Sequence, residues 1–381
     1  MTRRTQAAST LLALCLVFAG TVQGQPAEDA LITLGRALFF DTALSADRTM
    51  SCATCHDPAR AFTDGRENPV GGAASLGNDG STLGHRNAPT LTYASLVPAF
   101  GRHEDGAYAG GLFHDGRAAT LEDQAKQPIV SAAEMALVSP AAVRDRVLAN
   151  PAYVETFERL LGPASLASPD GALDAVATAI AAYERSAEFS SFDSKYDRYL
   201  RGETELTRDE NLGRMLFFSD LVNCSQCHLL NGRANQPGET FTNHRYHNIG
   251  IPTNARLRAS NPGRQPDAGL AGNPGVTRAG ERGRFRVPSL RNVAVTGPYM
   301  HNGVFQDLKT AIVFYNRFLV ENAANEINPE TGQPWEDAEV PETVDLDLLR
   351  QGQPLGERRI AQLEAFLRTL TDRRYEPLLR R

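Results

Sequence analysis

The chain has 381 residues, of which 41% are hydrophobic and 22% charged, with a formal net charge of −6. This is the composition of a globular protein long enough for two or three domains. An acidic balance offers no positive field to a polyanion, which excludes nucleic acid as the expected partner.

Residues 1–24 read as an export signal. Arg3 and Arg4 supply the positive start, Leu11 to Gly20 an apolar stretch, and Val22-Gln23-Gly24 the small residues suited to cleavage. The stretch is about ten residues long, against about 20 needed to cross a bilayer. No later segment is long and apolar enough either, so the expectation is an exported, periplasmic protein without a membrane span. Five cysteines are present. Cys15 lies in the apolar stretch and leaves with the signal on this reading. The other four form two Cys-X-X-Cys pairs, and a histidine directly follows each.

In chain order, a first unit opens with Leu34-Gly35-Arg36-Ala37-Leu38-Phe39-Phe40 and carries Cys52-Ala53-Thr54-Cys55-His56. The Gly-, Asn- and Pro-rich stretch 65–90 reads as a long loop. A helix is predicted from Leu173 to Tyr199, where apolar residues keep helical spacing without Gly or Pro, and Gly202 closes it. The opening then recurs as Leu212-Gly213-Arg214-Met215-Leu216-Phe217-Phe218, followed by Cys224-Ser225-Gln226-Cys227-His228. Ala88-Pro89-Thr90-Leu91 is echoed by Val287-Pro288-Ser289-Leu290, and Leu112-Phe113-His114-Asp115-Gly116 by Tyr299-Met300-His301-Asn302-Gly303. Residues 231–284 read as a second long loop. Ile360, Leu363, Phe366, Leu367 and Leu370 mark a C-terminal amphipathic helix. Strand patterns are scarce. The expected fold is mainly α, with two cytochrome c-like haem domains (25–200 and 201–381) related by internal duplication.

Cys-X-X-Cys-His sets two thiols to form thioethers with haem vinyl groups and the next imidazole beneath the iron. A redox Cys-X-X-Cys would not need His in both copies, and a zinc site would gather four thiolates. Cys52, Cys55, Cys224 and Cys227 are therefore read as attachment residues of two haems c, with His56 and His228 as proximal ligands. In the repeat register Leu121 matches Leu308, Ala125 matches Ile312, and Pro128 falls opposite Tyr315. If this helix covers the distal face of its haem, the second copy offers a phenolate and the first a proline that cannot ligate. Gln124 and Glu134 lie on the open side. A carboxylate there can move a proton between peroxide oxygens, and an amide can orient the oxidant. Taken singly, each also reads as a surface group.

Phe113-His114-Asp115-Gly116-Arg117-Ala118, then Leu121-Glu122-Asp123-Gln124-Ala125, Pro128-Ile129 and Ala133-Glu134-Met135, resembles the bacterial di-haem cytochrome c peroxidase and MauG superfamily. The likeness continues through Phe192-Asp193, Tyr199-Leu200 and Gly202-Glu203 to Thr296-Gly297-Pro298-Tyr299-Met300-His301. It implies Gln124, Pro128 and Glu134 in the distal pocket of the open haem. The peroxidases of that superfamily place Met as the second axial ligand and MauG a Tyr. The matching residue is Tyr315, which makes the chain MauG-like, with Met300 as the rival. Asn87, Thr296 and Pro298 match a calcium site between the haems, and oxygen donors of this kind suit Ca²⁺.

Three departures stand out. His114 replaces the Trp usual between the haems. Val222 replaces a surface Trp of MauG, which argues against maturation of methylamine dehydrogenase, and the sole tryptophan, Trp335, lies elsewhere in a polar segment. Asp79 stands where the peroxidases carry a switching His, with His85 close by. The resemblance implies an oxidoreductase that takes hydrogen peroxide at the first haem. Electrons would come through the second haem, from a small cytochrome or cupredoxin or from a protein substrate. The competing reading is an electron-transfer cytochrome in which His85, His103 or His114 closes the first haem.

Overall fold

The computed structural model describes residues 25–230, 233–260, 265–319 and 326–380. The expected export signal lies outside the described residues. Helix α1 (Gln25–Phe39) leads to the single turn α2 (Cys52–Cys55), and a short ribbon pairs β1 (Gly101–Arg102) with β2 (Tyr108–Ala109). Helices α3 (Leu121–Val130), α4 (Pro140–Leu148), α5 (Pro151–Leu161) and α6 (Pro169–Glu184) follow. The side chains of Thr120, Ser139, Asn150 and Ser168 accept first-turn amide protons, and Pro opens the last three. Those amides have no partner inside the helix, so such caps fix where each begins.

The second half starts with α7 (Lys195–Leu200), α8 (Arg208–Phe217) and the single turn α9 (Cys224–Cys227). It continues through β3 (Tyr246–His247), α10 (Ala255–Ser260), β4 (Phe285–Arg286), α11 (Leu308–Asn316), α12 (Leu346–Leu349) and α13 (Glu357–Arg368). Strands β3 and β4 pair with each other. The fold is mainly helical, as the sequence predicts.

One expectation needs correction. The helix predicted from Leu173 to Tyr199 is two helices, α6 and α7, separated by residues 185–194. That segment is rich in serine, whose hydroxyl competes for backbone hydrogen bonds and favours turns and caps. Ser194 and Asp197 form a capping box that restarts the helix. Phe189 meanwhile turns inward to stack on Phe62, with ring centroids 4.2 Å apart.

Each half is held by a helix pair in near backbone contact. Helix α6 is buried along Leu173, Val176, Ala177 and Ile180, and α1 crosses it at Gly35. A Cβ at Gly35 would stand 1.8 Å from the Ala179 carbonyl oxygen, and one at Gly213 of α8 would stand 1.8 Å from that of Gln362 in α13. Both glycines are the second residue of the repeated Leu-Gly-Arg. Between the halves lies a buried polar junction. Arg291, 1% exposed, makes two hydrogen bonds to Asp197, and Asn292 bonds both Asp372 and Thr92.

Gly213→Ala should force α8 from α13 and cost about 1–3 kcal/mol, read as a lower urea midpoint at unchanged slope. Glu184, at the end of α6, is 3% exposed, and burial holds its carboxyl up at about 8. Because the folded value is the higher one, stability should fall as pH rises from the ordinary glutamate range through about 8. Glu184→Gln should flatten that decline in urea titrations taken below and above this pH.

Candidate active site

The paired cysteines open and close α2 and α9, three residues apart and so on one helix face. Ser51 and Thr54 form a reciprocal cap that fixes the first turn. None of the four cysteines is in a disulfide. Burial pushes the Cys52 and Cys224 thiols up to about 12 and Cys55 up to about 11. Thiols so protonated are poor nucleophiles and poor zinc ligands.

His56 Nδ1 lies 3.0 Å from the Phe62 carbonyl oxygen, and His228 Nδ1 lies 3.1 Å from that of Phe241. A carbonyl only accepts, so Nδ1 carries the proton and Nε2 the lone pair. Burial lowers the proton affinity of both rings, that of His228 to about 4. Both are therefore neutral imidazoles, the form that ligates a metal.

The second motif opens on a cavity of ≈ 330 Å³ lined by Cys224, Cys227, His228 and one face of α11. That face is Leu308, Ala311, Ile312 and Tyr315, spaced as a helix stripe should be. Tyr315 keeps 36% of its surface accessible although it lies inside the fold, because it faces this cavity. Burial holds its hydroxyl above the usual tyrosine range, and the nearby thiols of Cys227 and Cys224 add to the effect. A cation is thus needed to draw out the phenolate. Met300 lines the same cavity but also packs on the cluster of Phe305, Phe314 and Trp335.

Arg286 also lines the cavity, and its buried Nε has no hydrogen-bond partner. Among the described residues it forms no ion pair, and burial presses its proton affinity down. Arginine remains charged in such places, so the arrangement calls for an anion brought by the occupant. A haem fits: its vinyl groups suit the thiols, its iron the imidazole, and its carboxylates the unpaired guanidinium.

The first half repeats the helical stripe. On α3, Leu121, Gln124, Ala125 and Pro128 form the same helical stripe, with Leu121 and Ala125 buried and Gln124 and Pro128 half-buried. Glu134 sits on the loop after α3. The Glu134 amide donates to the Ser131 carbonyl, Met135 to Pro128 and Ala136 to Ser131, while Asn78 donates to the Glu134 carbonyl. Ala136 and Val138 have φ of 60° and 51°, a conformation costly for a β-branched residue. The loop is thus tightly wound, and Gly77 supports it: a Cβ there would lie 2.4 Å from the Ala133 carbonyl oxygen. Burial raises the Glu134 carboxyl, while a Ser131 hydrogen bond and Arg117 pull it back. Its charge in turn adds slightly to the upward push on the Cys55 thiol.

Between the sites, His114 Nε2 donates to the Asn87 carbonyl at 2.9 Å. Burial and the cation of Arg86 push the His114 ring down to about 4. Asn87, Thr296 and Pro298 line the second cavity together with His114. Asn87 donates its amide to the Gly72 carbonyl at 3.4 Å. No cluster of three His, Cys, Asp or Glu suited to a metal occurs among the described residues, so an ion here would rely on amide and carbonyl oxygens. Asp79 is exposed and holds Ser81 and Thr82 in a local turn; His85 and His103 are exposed. Val222 is half-buried in the core of the second half. Trp335, in a polar stretch of sequence, is 9% exposed against Phe305 and Phe314.

Sequence reasoning missed several polar groups of these pockets. Arg66 Nη2 lies 3.2 Å from Cys55 Sγ and pairs with Asp64. His247 binds Asp345 at 2.9 Å and lines the second cavity. Glu184 raises the Cys52 thiol. An Asp-Gly-Arg close behind the first motif was the available signal for Arg66, whereas Glu184 looks like a solvated helix end.

A family model described as di-haem cytochrome c peroxidase matches residues 29–205. The chain is 53% identical to the methylamine utilization protein MauG of Paracoccus denitrificans over 371 residues, 97% of this chain and 95% of that one. It is 31% identical to the cytochrome c551 peroxidase of Pseudomonas aeruginosa over 303 residues, 76% of this chain and 73% of that one. The crystal structure of the di-haem peroxidase BthA from Burkholderia thailandensis superposes with a TM-score of 0.79 at 33% identity, covering 91% of this chain and 86% of that one. No helix among the described residues is long and apolar enough to cross a membrane. With two haem c sites and this kinship, the chain is a MauG-like di-haem peroxidase and belongs to the di-haem cytochrome c peroxidase family.

Proposed function

We propose that peroxide is reduced at the first haem site, and that the second site relays the electrons and takes no oxidant. The observation that supports this most is a contrast across one helical register. Tyr315 shares a cavity with His228, whereas its counterpart Pro128 has no atom able to ligate. Haem, when bound, supplies the iron that holds peroxide and exchanges electrons. His56 and His228 would ligate it through Nε2, Tyr315 would cap the second site, and Cys52, Cys55, Cys224 and Cys227 would carry the thioethers. Glu134 takes a proton from one peroxide oxygen and returns it to the departing one, and its raised affinity for protons suits it to both steps. Gln124 orients the oxidant through its amide. Two electrons and two protons then convert peroxide to two waters.

The alternative, an electron-transfer cytochrome with both irons closed, needs a ligand at the first site. His85 and His103 are exposed, and His114 is committed to the Asn87 carbonyl. These facts favour the enzyme. Residues 25–200 form the peroxide-reactive domain and 201–381 its duplicated electron-transfer partner on this reading. The electrons come from a small cytochrome or cupredoxin, or from residues of a protein substrate, in the periplasm. Asn87, Thr296 and Pro298 hold Ca²⁺ through oxygen donors.

Three outcomes are expected. Glu134→Gln should lose about 10²–10⁴-fold in peroxide turnover with haem content unchanged, and equal rates would remove Glu134 from the mechanism. Gly77→Ala, which displaces the Glu134 loop from a distance, should also lose turnover while both haems remain attached. Elemental analysis of the purified holoprotein should find calcium equimolar with the chain, lost in an Asn87→Ala variant.

A further inference from the structure

We infer that Tyr93 and Asp372 form a proton-coupled oxidation site between the two haem sites, where an oxidising equivalent from peroxide is held on the phenol. The inference rests on the peroxidase reading above. Tyr93 and Asp372 are each 2% exposed, and the Tyr93 hydroxyl donates to Asp372 Oδ1 at 2.6 Å. That length is typical of an O–H donor facing an ionised carboxylate. Asn292 fixes the acceptor from its other side, donating to Oδ2 at 2.9 Å and accepting the Asp372 amide at 2.8 Å. Burial raises the Asp372 carboxyl above the ordinary aspartate range, which makes it a stronger base than a solvated one.

The buried phenols of Tyr246 and Tyr196 and the half-buried phenol of Tyr299 have neutral acceptors instead. Tyr246 donates to the Gly110 carbonyl, Tyr299 to the Val293 carbonyl and Tyr196 to the Asn235 amide oxygen. Neutral acceptors cannot keep a proton. A phenol losing only its electron becomes a strong acid, so its oxidation is eased when a carboxylate within hydrogen-bond reach takes the proton.

The position is equally specific. Phe62, whose carbonyl holds His56, stacks on Phe189, and the Phe189 carbonyl accepts the Tyr93 amide at 2.9 Å. The Tyr93 ring meets Phe192 with centroids 4.9 Å apart. The Arg291 guanidinium lies 5.2 Å from the Tyr93 ring and 5.6 Å from that of Phe241, whose carbonyl holds His228. Rings, hydrogen bonds and the Arg291 guanidinium thus join one of the two histidines to the other through Tyr93. Asp197 balances the charge of Arg291. In the step, the Tyr93 O–H bond breaks, its proton passes to Asp372 Oδ1, and its electron goes to a haem site oxidised by peroxide. An electron from the external donor later restores the phenol, and the proton returns.

The test is freeze-quench electron paramagnetic resonance on holoprotein mixed with hydrogen peroxide, with haem absorption followed in parallel. Wild type should give a tyrosyl signal whose hyperfine structure collapses in protein grown on ring-deuterated tyrosine. Tyr93→Phe should abolish it and Asp372→Asn suppress it. Tyr153→Phe, which removes a half-buried phenol 2.8 Å from Asp41 on α5, should keep it. Haem absorption that responds to peroxide without a tyrosyl signal, or a signal that survives Tyr93→Phe, overturns this inference alone. Absorption that peroxide leaves unchanged overturns the peroxidase reading and this inference with it.

Discussion

In both halves an imidazole donates from Nδ1 to a phenylalanine carbonyl, His56 to Phe62 and His228 to Phe241. This bond settles which nitrogen keeps its lone pair and which way the ring faces. It also needs an unusual backbone, since Phe62 and Phe241 have φ of 55° and 56°. A left-handed turn at a bulky residue costs about 1–2 kcal/mol, so packing must hold it there. Phe62 is locked among Phe39 and Phe189, and Phe241 among Tyr196, Phe217 and Phe366. The aromatic cores of the two halves therefore do more than bury surface: they aim the two imidazoles.

In the proposed function a few side chains make the two sites unequal. Helices α3 and α11 present the same stripe, with Pro128 in one and Tyr315 at the matching place in the other. The surroundings diverge in the same sense. The second site has Arg286, which forms no ion pair among the described residues, while the first half carries Glu134 on the wound loop after α3. A buried carboxylic acid is useful where protons must move and unhelpful where only electrons pass.

The Cys-X-X-Cys-His motifs, the recurring segments and the helical stripes of α3 and α11 were legible in the sequence because each is local or recurs at a fixed offset. The correspondence of Tyr315 with Pro128 could be read only by overlaying one half on the other. The junction could not be read this way. Tyr93 and Asp372 are 279 residues apart, and Arg291 meets Asp197 across 94. Neither pair carries a spacing signal. Arg291 and Asn292 in fact interrupt the repeat, standing where the first copy has Thr92 and Tyr93. That lapse in self-similarity was the available hint. The break between α6 and α7 was missed for another reason: apolar periodicity continues through 185–194, but the serines there cap and turn the chain.

The inequality of the two sites is the claim on which the rest stands, and resting spin state reports it most directly. Electron paramagnetic resonance of the fully oxidised holoprotein, without peroxide, should show high-spin and low-spin ferric haem in equal amounts, with the low-spin share lost in Tyr315→Phe. Two low-spin haems at rest, or a spectrum indifferent to Tyr315→Phe, would contradict it.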